Sequence, residues 1–294
     1  MKIGFICTNY NNSSYTRAAV ASLHAADAGN DVRIVVVDNK SNDDDVARLK
    51  DVAREFPKTE VVLNPANVGY FPGLNIGIER LRERFPEVDY VVIGNNDLVF
   101  PETFVETMQC QRHVLDKWAV IAPDLVTAAG VHQIPHVLYP ISRARQLVWE
   151  LHFLSYRVAV IIASAARITE RFTARKERVP GSDLYKTACP IEWGFGACYI
   201  LGPTFFSSFR RLWAPTFLMG EEFFLAEQVK SIDQRVFYDP QFVVFHHDHA
   251  TTDRLPSRRQ WEFLRISHRL YKRYLAMPAA ERHSLIMGES QRPA

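Results

Sequence analysis

The sequence lacks the glycine-rich motifs that most often hold phosphate groups. Neither G-x-G-x-x-G after the first apparent strand nor G-x-x-x-x-G-K-[ST] occurs anywhere in its 294 residues. These motifs supply backbone N–H groups to a dinucleotide or a triphosphate, so their absence excludes the common dinucleotide-binding and P-loop classes. Any phosphate bound by this chain needs its charge balanced by other means.

Cysteine is scarce, and the spacing of the cysteines does not match any disulfide or metal-binding motif. The four cysteines, Cys7, Cys110, Cys189 and Cys198, form no CxxC pair and no zinc spacing. A disulfide framework and a structural zinc site are therefore not indicated. Because Cys7 lies inside an apolar run, we expect all four to be reduced residues of the core.

Excess charge and long apolar runs are also missing. Lysine and arginine number 35 against 33 aspartate and glutamate, a net charge of +2, which argues against a general nucleic-acid binder.

The N-terminal apolar run is too short and too quickly polar for a signal peptide, which predicts a cytoplasmic protein. The clean apolar run from Val158 to Ala166 is far below the roughly 20 residues that cross a bilayer.

The chain has instead an alternation of strand and helix patterns. The segments "KIGFIC", "DVRIVVVD", "TEVVLN" and "YVVIG" are β-branched and apolar, and amphipathic helical stretches separate them. This order predicts an α/β fold with a mostly parallel central sheet flanked by helices. We expect one main domain over 1–250, with a helical insertion at about 141–178, and a C-terminal helical extension over 251–294.

Polar residues follow three of these strands. They are Thr8, Asn9 and Tyr10 in the first segment, Asp38, Asn39 and Ser41 in the second, and Asn95, Asn96 and Asp97 in the fourth. The carboxyl ends of parallel strands meet in one crevice, so these groups predict a nucleotide site. Tyr10 could stack on a base, Asp38 could accept hydrogen bonds from a base or ribose, and Asp97 could hold a divalent cation against a diphosphate. The alternative for the triplet is a simple turn.

Histidines follow the last strand and add candidate metal ligands. His246, His247 and His249 occupy three of four positions, with Asp248 between them. Together with Asp97 they predict a Mn²⁺ or Mg²⁺ site, completed by phosphate oxygens and water. The alternative is that these histidines are ordinary surface or core residues.

Several segments, taken in order, resemble a known family. "VVVDNKSND", "NVGYFPGLNIGI", "GNND", "GFGACYIL" and "FLMGEEFFLAEQVKSIDQRVFYDPQFVVFH" are similar to motifs of the inverting nucleotide-sugar glycosyltransferases of family two. That family has the GT-A fold, and the likeness is greatest to its bacterial rhamnosyltransferase-like members. It extends over most of the chain.

The resemblance implies a role for each matching residue. Thr8, Tyr10 and Asp38 would hold the nucleoside. We also expect Asn9, Asn39, Asn95 and Asn96 to belong to the site that binds the nucleotide sugar. A loop containing Asn67, Gly69, Gly73 and Asn75 would lie along the nucleotide. Asp97 would bind metal and diphosphate, and the pair Glu221-Glu222 would provide the catalytic base. For the glycines, close packing of a helix on the sheet is the alternative to close approach of a ligand.

One glutamate of the pair is expected to act as the base. Consecutive helical residues diverge by about 100°, so one of the two side chains faces the reacting sugar. We predict Glu222, the second position of the acidic pair. The alternative is a favourable interaction of both carboxylates with the helix N-terminus. The sequence departs from the family pattern at Asn95, which replaces the first aspartate of D-x-D, and at Gln228, which replaces an arginine.

The expected function is therefore a glycosyltransferase that uses a UDP- or dTDP-sugar donor. The acceptor would be a saccharide or a lipid-linked saccharide, and the resemblance implies bacterial surface polysaccharide synthesis. The alternatives are a sugar-phosphate nucleotidyltransferase and a non-catalytic nucleotide-sugar-binding scaffold.

The insertion suggests a second surface. Its centre contains Trp149, Phe153 and Tyr156, and its basic flanks are Arg143, Arg145, Arg167, Arg171, Arg175 and Lys176. It predicts a helix lying on an anionic membrane, or else one packed on the catalytic domain or on a second subunit in a homodimer. For the helix at 256–276, docking on the core is the favoured prediction.

Overall fold

The computed structural model describes residues 1–27, 29, 31–134, 143–173, 183–247 and 257–292. Nine strands in this part of the chain form one sheet. They are β1 (Lys2–Asn9), β2 (Asp31–Asp38), β3 (Thr59–Leu63), β4 (Tyr90–Gly94), β5 (Leu98–Val99), β6 (Val120–Thr127), β7 (Cys189–Ile191), β8 (Cys198–Leu201) and β9 (Val236–His246).

Helices connect and cover these strands. They are α1 (Ser13–Ala26), α2 (Asp43–Glu55), α3 (Tyr70–Arg84), α4 (Phe104–Cys110), α5 (Arg112–Lys117), α6 (Arg143–His152), α7 (Tyr156–Thr173), α8 (Pro203–Ser208), α9 (Glu221–Lys230), α10 (Arg258–Leu275) and α11 (Ala279–Ser290). The predicted α/β class is confirmed.

The sheet is mixed. Its order is β3-β2-β1-β4-β8-β6-β9-β5, with β7 also paired to β9. The first four strands are parallel to one another, as predicted, whereas β8 runs antiparallel to both β4 and β6. The expectation of a mostly parallel sheet therefore holds for the N-terminal half, and antiparallel neighbours enter with β8, β7 and β5.

The strands are apolar along most of their length because helices cover both faces of the sheet. Phe5, Ile6 and Cys7 of β1 are fully buried, as are Val36 and Val37 of β2. This continuous burial explains why these strands do not alternate between apolar and polar residues.

Glycines allow α3 to pack closely on the sheet. A Cβ atom on Gly77 would lie 2.3 Å from Cγ2 of Ile6, and one on Gly73 would lie 2.8 Å from Cγ2 of Thr8. Such distances are shorter than real carbon contacts, so larger residues would displace the helix. Helix packing, the alternative left open for these glycines, accounts for both positions.

The insertion packs on the C-terminal part of the chain. Nε1 of Trp261 in α10 donates to the carbonyl oxygen of His152 at 3.1 Å, and Lys272 forms a salt bridge with Glu150 at 2.8 Å. In turn, α10 packs on α9, where the ring centroids of Tyr271 and Phe223 are 4.1 Å apart. The predicted docking of this C-terminal helix is confirmed.

The predicted metal site after the last strand and the predicted basic flanks of the insertion include residues that the structure does not describe. Asp248, His249, Arg175 and Lys176 are not among the described residues, nor are the side chains of Arg143, Arg145, Arg167 and Arg171. Among the described helices, none combines the length and apolar character that crossing a membrane requires.

The four cysteines are free thiols, as expected, but they do not all lie in the core. Cys7 and Cys198 are buried, Cys189 is partly exposed and Cys110 is exposed. The core prediction is therefore wrong for Cys110, which occupies the last turn of α4.

Gly69, at the N-terminus of α3, is expected to tolerate no side chain. Its φ is 95°, and a Cβ there would lie 2.3 Å from the carbonyl oxygen of Phe217. Gly130 has a φ of 73° with no atom within 4 Å of such a Cβ. We expect Gly69→Ala to lower the free energy of unfolding by about 3 kcal/mol and Gly130→Ala by about 1 kcal/mol, because only the first adds a clash to the backbone strain. Equal losses in urea denaturation would contradict this.

Candidate active site

Three strands end side by side at one edge of the sheet. Asn9 of β1 is in register with Asp38 of β2, and Cys7 is in register with Gly94 of β4. The residues that follow these strands therefore meet, as the strand order predicted. They meet beyond the carboxyl ends of parallel strands, where open α/β sheets place their ligands.

Asn9 is the centre of a buried hydrogen-bond network at this edge. Its Nδ2 donates to Oδ1 of Asp38 at 3.0 Å and to Oδ2 of Asp45 at 2.8 Å. Its Oδ1 accepts from Oγ1 of Thr16 at 2.8 Å and from Nδ2 of Asn96 at 3.2 Å. One amide therefore joins the ends of β1, β2 and β4 to the first turns of α1 and α2.

Asp38 also belongs to this network. Its carboxylate accepts hydrogen bonds from the backbone N–H of Ser41 at 2.9 Å and from the Ser41 hydroxyl at 2.5 Å, in addition to Asn9. The residue is 1% exposed. The structure thus uses Asp38 to hold the loop after β2, and its direct contact with a nucleoside remains a prediction.

Asp45 is a member of the network that the sequence did not indicate. Burial favours its neutral form, but hydrogen bonds from Ser13, Asn9 and Arg48 outweigh this and hold its pKa at about 2. The charged carboxylate fixes the N-terminal turns of α1 and α2. Its position among three aspartates after Asn42 was indistinguishable, in sequence, from an ordinary helix start.

Tyr10, Thr8 and Asn67 are accessible at this edge. Tyr10 is 52% exposed, Asn67 is exposed and Thr8 is half-buried. Asn39 is buried, and its Nδ2 donates to the carbonyl oxygen of Gly69 at 2.9 Å. The exposed Tyr10 ring is suited to stack on a base, whereas Asn39 ties the loop before α3 to the end of β2.

Asn75 is not brought to this crevice. It is buried in α3, and its Nδ2 donates to the carbonyl oxygen of Leu212 while its Oδ1 accepts from the Leu212 N–H, at 2.9 and 2.8 Å. The placement of Asn75 along the nucleotide stays a prediction. Both of its polar groups are used to hold a distant loop.

The three residues of the Asn95-Asn96-Asp97 triplet have different surroundings. The N–H of Asn95 donates to the carbonyl oxygen of Ala197 at 2.8 Å, which joins this loop to the segment before β8. Nδ2 of Asn96 donates to Oδ1 of Asn12 at 2.7 Å within the buried network. Asp97 stands apart from both, because its carboxylate is directed toward β9.

Asp97 and His246 face each other at this strand end. Oδ1 of Asp97 lies 3.3 Å from Nε2 of His246, and both side chains are largely buried. The antiparallel pairing of β5 with β9 fixes this contact, because Leu98 is in register with His246 and the His247 N–H donates to the Asp97 carbonyl oxygen at 2.9 Å.

The contact made by Nδ1, the other ring nitrogen of His246, bears on whether Nε2 has a proton to donate to Asp97. Nδ1 lies 2.8 Å from Oε1 of Gln133, a contact that suits the tautomer with its proton on Nδ1, because a carbonyl oxygen accepts. In the neutral ring Nε2 then has a free lone pair directed at the Asp97 carboxylate. Two acceptors at this distance need a cation between them, either a proton on Nε2 or a metal ion.

A divalent cation fits this pair. Oδ1 of Asp97 is buried with no hydrogen-bond partner among the described residues. Two neighbouring ligands of an octahedral cation stand about 3 Å apart, close to the observed 3.3 Å. Within the described part of the chain no group of three or more histidine, cysteine, aspartate or glutamate side chains is placed to hold a metal, so a donor substrate or water would complete the shell.

His247 belongs to the predicted set of metal ligands, whereas Gln133 does not. His247, predicted as a metal ligand, is exposed, and its ring centroid lies 6.4 Å from that of Tyr15. Gln133, which orients the His246 ring, was not predicted. It follows β6 in a loop without any recognisable motif, so the sequence carried no signal for it.

The two glutamates at the start of α9 have different environments, as helical geometry predicted. Glu221 is 3% exposed, and its Oε1 has no hydrogen-bond partner among the described residues. Glu222 is partly exposed and lines a cavity. The helix begins after Gly220, whose left-handed backbone, with a φ of 88°, turns the chain into α9.

Burial shifts the protonation of both carboxyl groups. Burial, and then the charge of Glu222, raise the pKa of Glu221 to about 8, so Glu221 is mostly protonated at neutral pH. Burial also raises the pKa of Glu222. A carboxylate with a raised pKa is a stronger base than one in water, and Glu222 is the member of the pair that reaches a cavity.

The segment Phe195-Gly196 connects the two parts of the site. The Phe195 ring lies 5.9 Å from the His246 ring, between centroids, and a Cβ on Gly196 would lie 3.4 Å from Oε2 of Glu222. The hydroxyl of Tyr70 donates to the Gly196 carbonyl oxygen at 3.0 Å. This segment therefore lies between the Asp97–His246 pair and the Glu222 carboxylate.

A cavity of about 500 Å³ opens beside Glu222. Its walls come from α6, α7, α9 and α10 and from Trp193. The helical insertion therefore forms part of a pocket at the candidate base, a role that its sequence alone did not indicate.

Comparison with known proteins identifies the family. Residues 5–160, more than half of the chain, match the model of Glycosyl transferase family 2. The chain belongs to this family. No curated protein matches the sequence. The family domain covers the buried network and Asp97, whereas His246 and the Glu221-Glu222 pair lie beyond the matched residues.

Solved structures of other glycosyltransferases share the fold. Residues 1–349 of S. aureus TarS in complex with UDP-GlcNAc superpose with a TM-score of 0.52 at 14% identity, over 98% of this chain and 71% of that one. The mannosyltransferase PcManGT from Pyrobaculum calidifontis, in complex with GDP-Man and Mn²⁺, superposes with a TM-score of 0.53 at 14% sequence identity. The match covers 98% of this chain and 68% of that one. GalNAc-T7 with UDP, GalNAc and Mn²⁺ superposes with a TM-score of 0.50 at 11% sequence identity, over 84% of this chain and 44% of that one. At such identities the likeness establishes the GT-A fold of this family 2 protein.

Proposed function

We propose that this family 2 protein transfers a sugar, with inversion, from a nucleoside diphosphate sugar to a hydroxyl group of a saccharide or lipid-linked saccharide. The observation that carries the proposal is the contact of Asp97 with His246 at the edge of the sheet, 3.3 Å apart. It supports a cation site where the diphosphate of a donor would lie, in a chain whose family transfers sugars.

Asp97 and His246 would hold a divalent cation, Mn²⁺ or Mg²⁺. A ring nitrogen beside a carboxylate favours Mn²⁺, because Mg²⁺ prefers oxygen ligands. The bound cation would balance the charge of the departing diphosphate, which the missing glycine-rich motifs leave to other groups. The structures of GalNAc-T7 with UDP, GalNAc and Mn²⁺ and of PcManGT in complex with GDP-Man and Mn²⁺ support this choice.

Glu222 would act as the base. Its carboxylate accepts the proton of the acceptor hydroxyl while that oxygen forms a bond to the anomeric carbon. The bond from the anomeric carbon to the diphosphate oxygen breaks, and its electron pair leaves with the nucleoside diphosphate. Attack opposite the leaving group inverts the configuration, and one carboxylate is enough for this reaction because the leaving group needs no acid.

The finer assignments follow from the donor-side crevice and from the insertion. Exposed Tyr10 would stack on the base of a UDP- or dTDP-sugar, and a rhamnosyl donor fits the motif likeness. Leu147, Leu151 and Leu154 of the insertion are exposed apolar residues, which supports peripheral contact with an anionic membrane on the cytoplasmic side. Such a location suits bacterial surface polysaccharide assembly.

Calorimetry tests the donor and metal roles. We expect one of UDP, dTDP, GDP and CDP to bind in the presence of Mn²⁺, and Asp97→Asn to weaken that binding by at least about tenfold, since a charge-assisted metal contact is lost. The matched control Asp51→Asn changes an exposed aspartate of α2 that pairs with Arg54 and should leave binding unchanged. Absence of binding by all four nucleotides, with and without metal, would contradict the proposed function.

Two neighbouring substitutions test the base. Glu222→Gln should reduce turnover by about a hundredfold or more while donor affinity persists, because a general base contributes that much. Glu221→Gln should retain turnover, because Glu221 is already mostly protonated at pH 7. The free energy of unfolding of the Glu221→Gln variant should also exceed that of the wild type by an amount that grows as pH rises from 4.5 to about 8. The reason is that the folded wild-type protein disfavours the ionised Glu221 carboxylate over that range. Greater loss of turnover in the Glu221 variant would assign the base to that residue instead.

A further inference from the structure

The cavity beside Glu222 has the size of a small-molecule site and mostly apolar walls. Its volume of about 500 Å³ falls within the usual range for ligand pockets. Six of the side chains that line it are Trp149, Phe153, Trp193, Phe223, Leu264 and Tyr271. They come from the insertion, from the segment before β8, and from α9 and α10, so they are assembled from distant parts of the chain.

Seven of the fifteen lining residues carry a polar side-chain group, and five of these seven are the large rings of tryptophan, tyrosine and histidine. The Ser267 hydroxyl donates to the Met219 carbonyl oxygen at 2.5 Å. Burial lowers the pKa of His152 and of His268, which favours the neutral form of both rings. Among the residues that line the cavity, Glu222 is the one acidic group. A hydroxyl at this position would meet a base and apolar walls.

This composition discriminates between acceptor classes. An oligosaccharide carries hydroxyl groups on every ring, and burying them without hydrogen-bond partners is costly. An alkyl or prenyl chain gains free energy from burial against aromatic and aliphatic walls. The cavity therefore suits the apolar part of an acceptor better than a second or third sugar.

The apolar surface continues from the cavity to the outside of α6. Val148 lines the cavity and is 48% exposed. Leu147 and Leu151, one turn apart on the same helix, are exposed on the adjoining surface. A chain that leaves the cavity past Val148 would follow an apolar strip rather than enter water directly.

We propose that this cavity binds the apolar aglycone of the acceptor, so that the accepting hydroxyl, on the aglycone or on a sugar joined to it, reaches Glu222. This inference rests on the proposed function, because it gives the substrate class of the same site. It selects the lipid-linked acceptor over the free saccharide and assigns the insertion a role in acceptor binding.

Binding of n-octyl β-D-glucoside, below the concentration at which it forms micelles, tests the inference without any donor. We expect octyl glucoside to bind at least about tenfold more tightly than methyl β-D-glucoside, because the chain buries apolar surface in the cavity. Calorimetry measures both affinities. Equal affinities, or tighter binding of maltotriose than of octyl glucoside, would overturn the inference.

Two alanines of α7 provide a variant and its control. Ala163 lines the cavity, whereas Ala165 is exposed on the same helix. Ala163→Phe should weaken octyl glucoside binding at least about tenfold by filling the space, and Ala165→Phe should not. Retained binding in a folded Ala163→Phe protein would assign the glycoside to another surface and overturn the inference.

Saturation-transfer NMR on the wild-type protein gives a result that does not depend on the variant folding. The octyl methylene protons should receive more saturation than the sugar ring protons, and the reverse would overturn the inference. A protein that binds octyl glucoside but no nucleotide would contradict the proposed function alone. One that binds nucleotide with Mn²⁺ but not octyl glucoside would contradict this inference alone.

Discussion

The carboxylate of Asp97 and the ring nitrogen of His246 lie 3.3 Å apart at the end of the sheet, and both are hydrogen-bond acceptors when the ring is neutral. Gln133 holds the ring in the orientation that creates this contact. Without a cation the arrangement is unfavourable in a largely buried position. The pairing of β5 with β9 nevertheless holds Asp97 and His246 together. The proposed function depends on which cation lies between these two side chains.

The remainder of the strand edge forms a rigid support for that pair. Asn9 and Asp45 connect the ends of three strands to two helices through buried, fully used hydrogen bonds. A satisfied network of this kind holds its members in one arrangement. It leaves the ring of Tyr10 52% exposed at this edge, while the Asp97 carboxylate lies outside the network and faces β9.

Much of the fold was predictable because its signals are local. Apolar strands alternating with amphipathic helices indicated the α/β class, and polar residues after β1, β2 and β4 indicated where the strand ends meet. The direction of β8 could not be predicted, because a four-residue apolar strand has the same pattern in a parallel or an antiparallel neighbourhood.

The site was predictable only in part, for a similar reason. Asp97 follows β4 and His246 is the last residue of β9, so the positions of both at the sheet edge could be inferred from recognisable strands. Gln133 and Leu212 contact residues that are far away in sequence, and no local pattern marks such partners. Asn75 illustrates the limit: its place in a motif suggested a ligand, whereas its amide bonds a backbone 137 residues later.

The most direct test of the account is the position of the metal. Crystals grown with Mn²⁺ and the nucleoside diphosphate that binds in calorimetry would be measured at the manganese absorption edge. We expect an anomalous peak within coordination distance of both Oδ1 of Asp97 and Nε2 of His246. Nucleotide bound in the crevice with no manganese at this pair would contradict it.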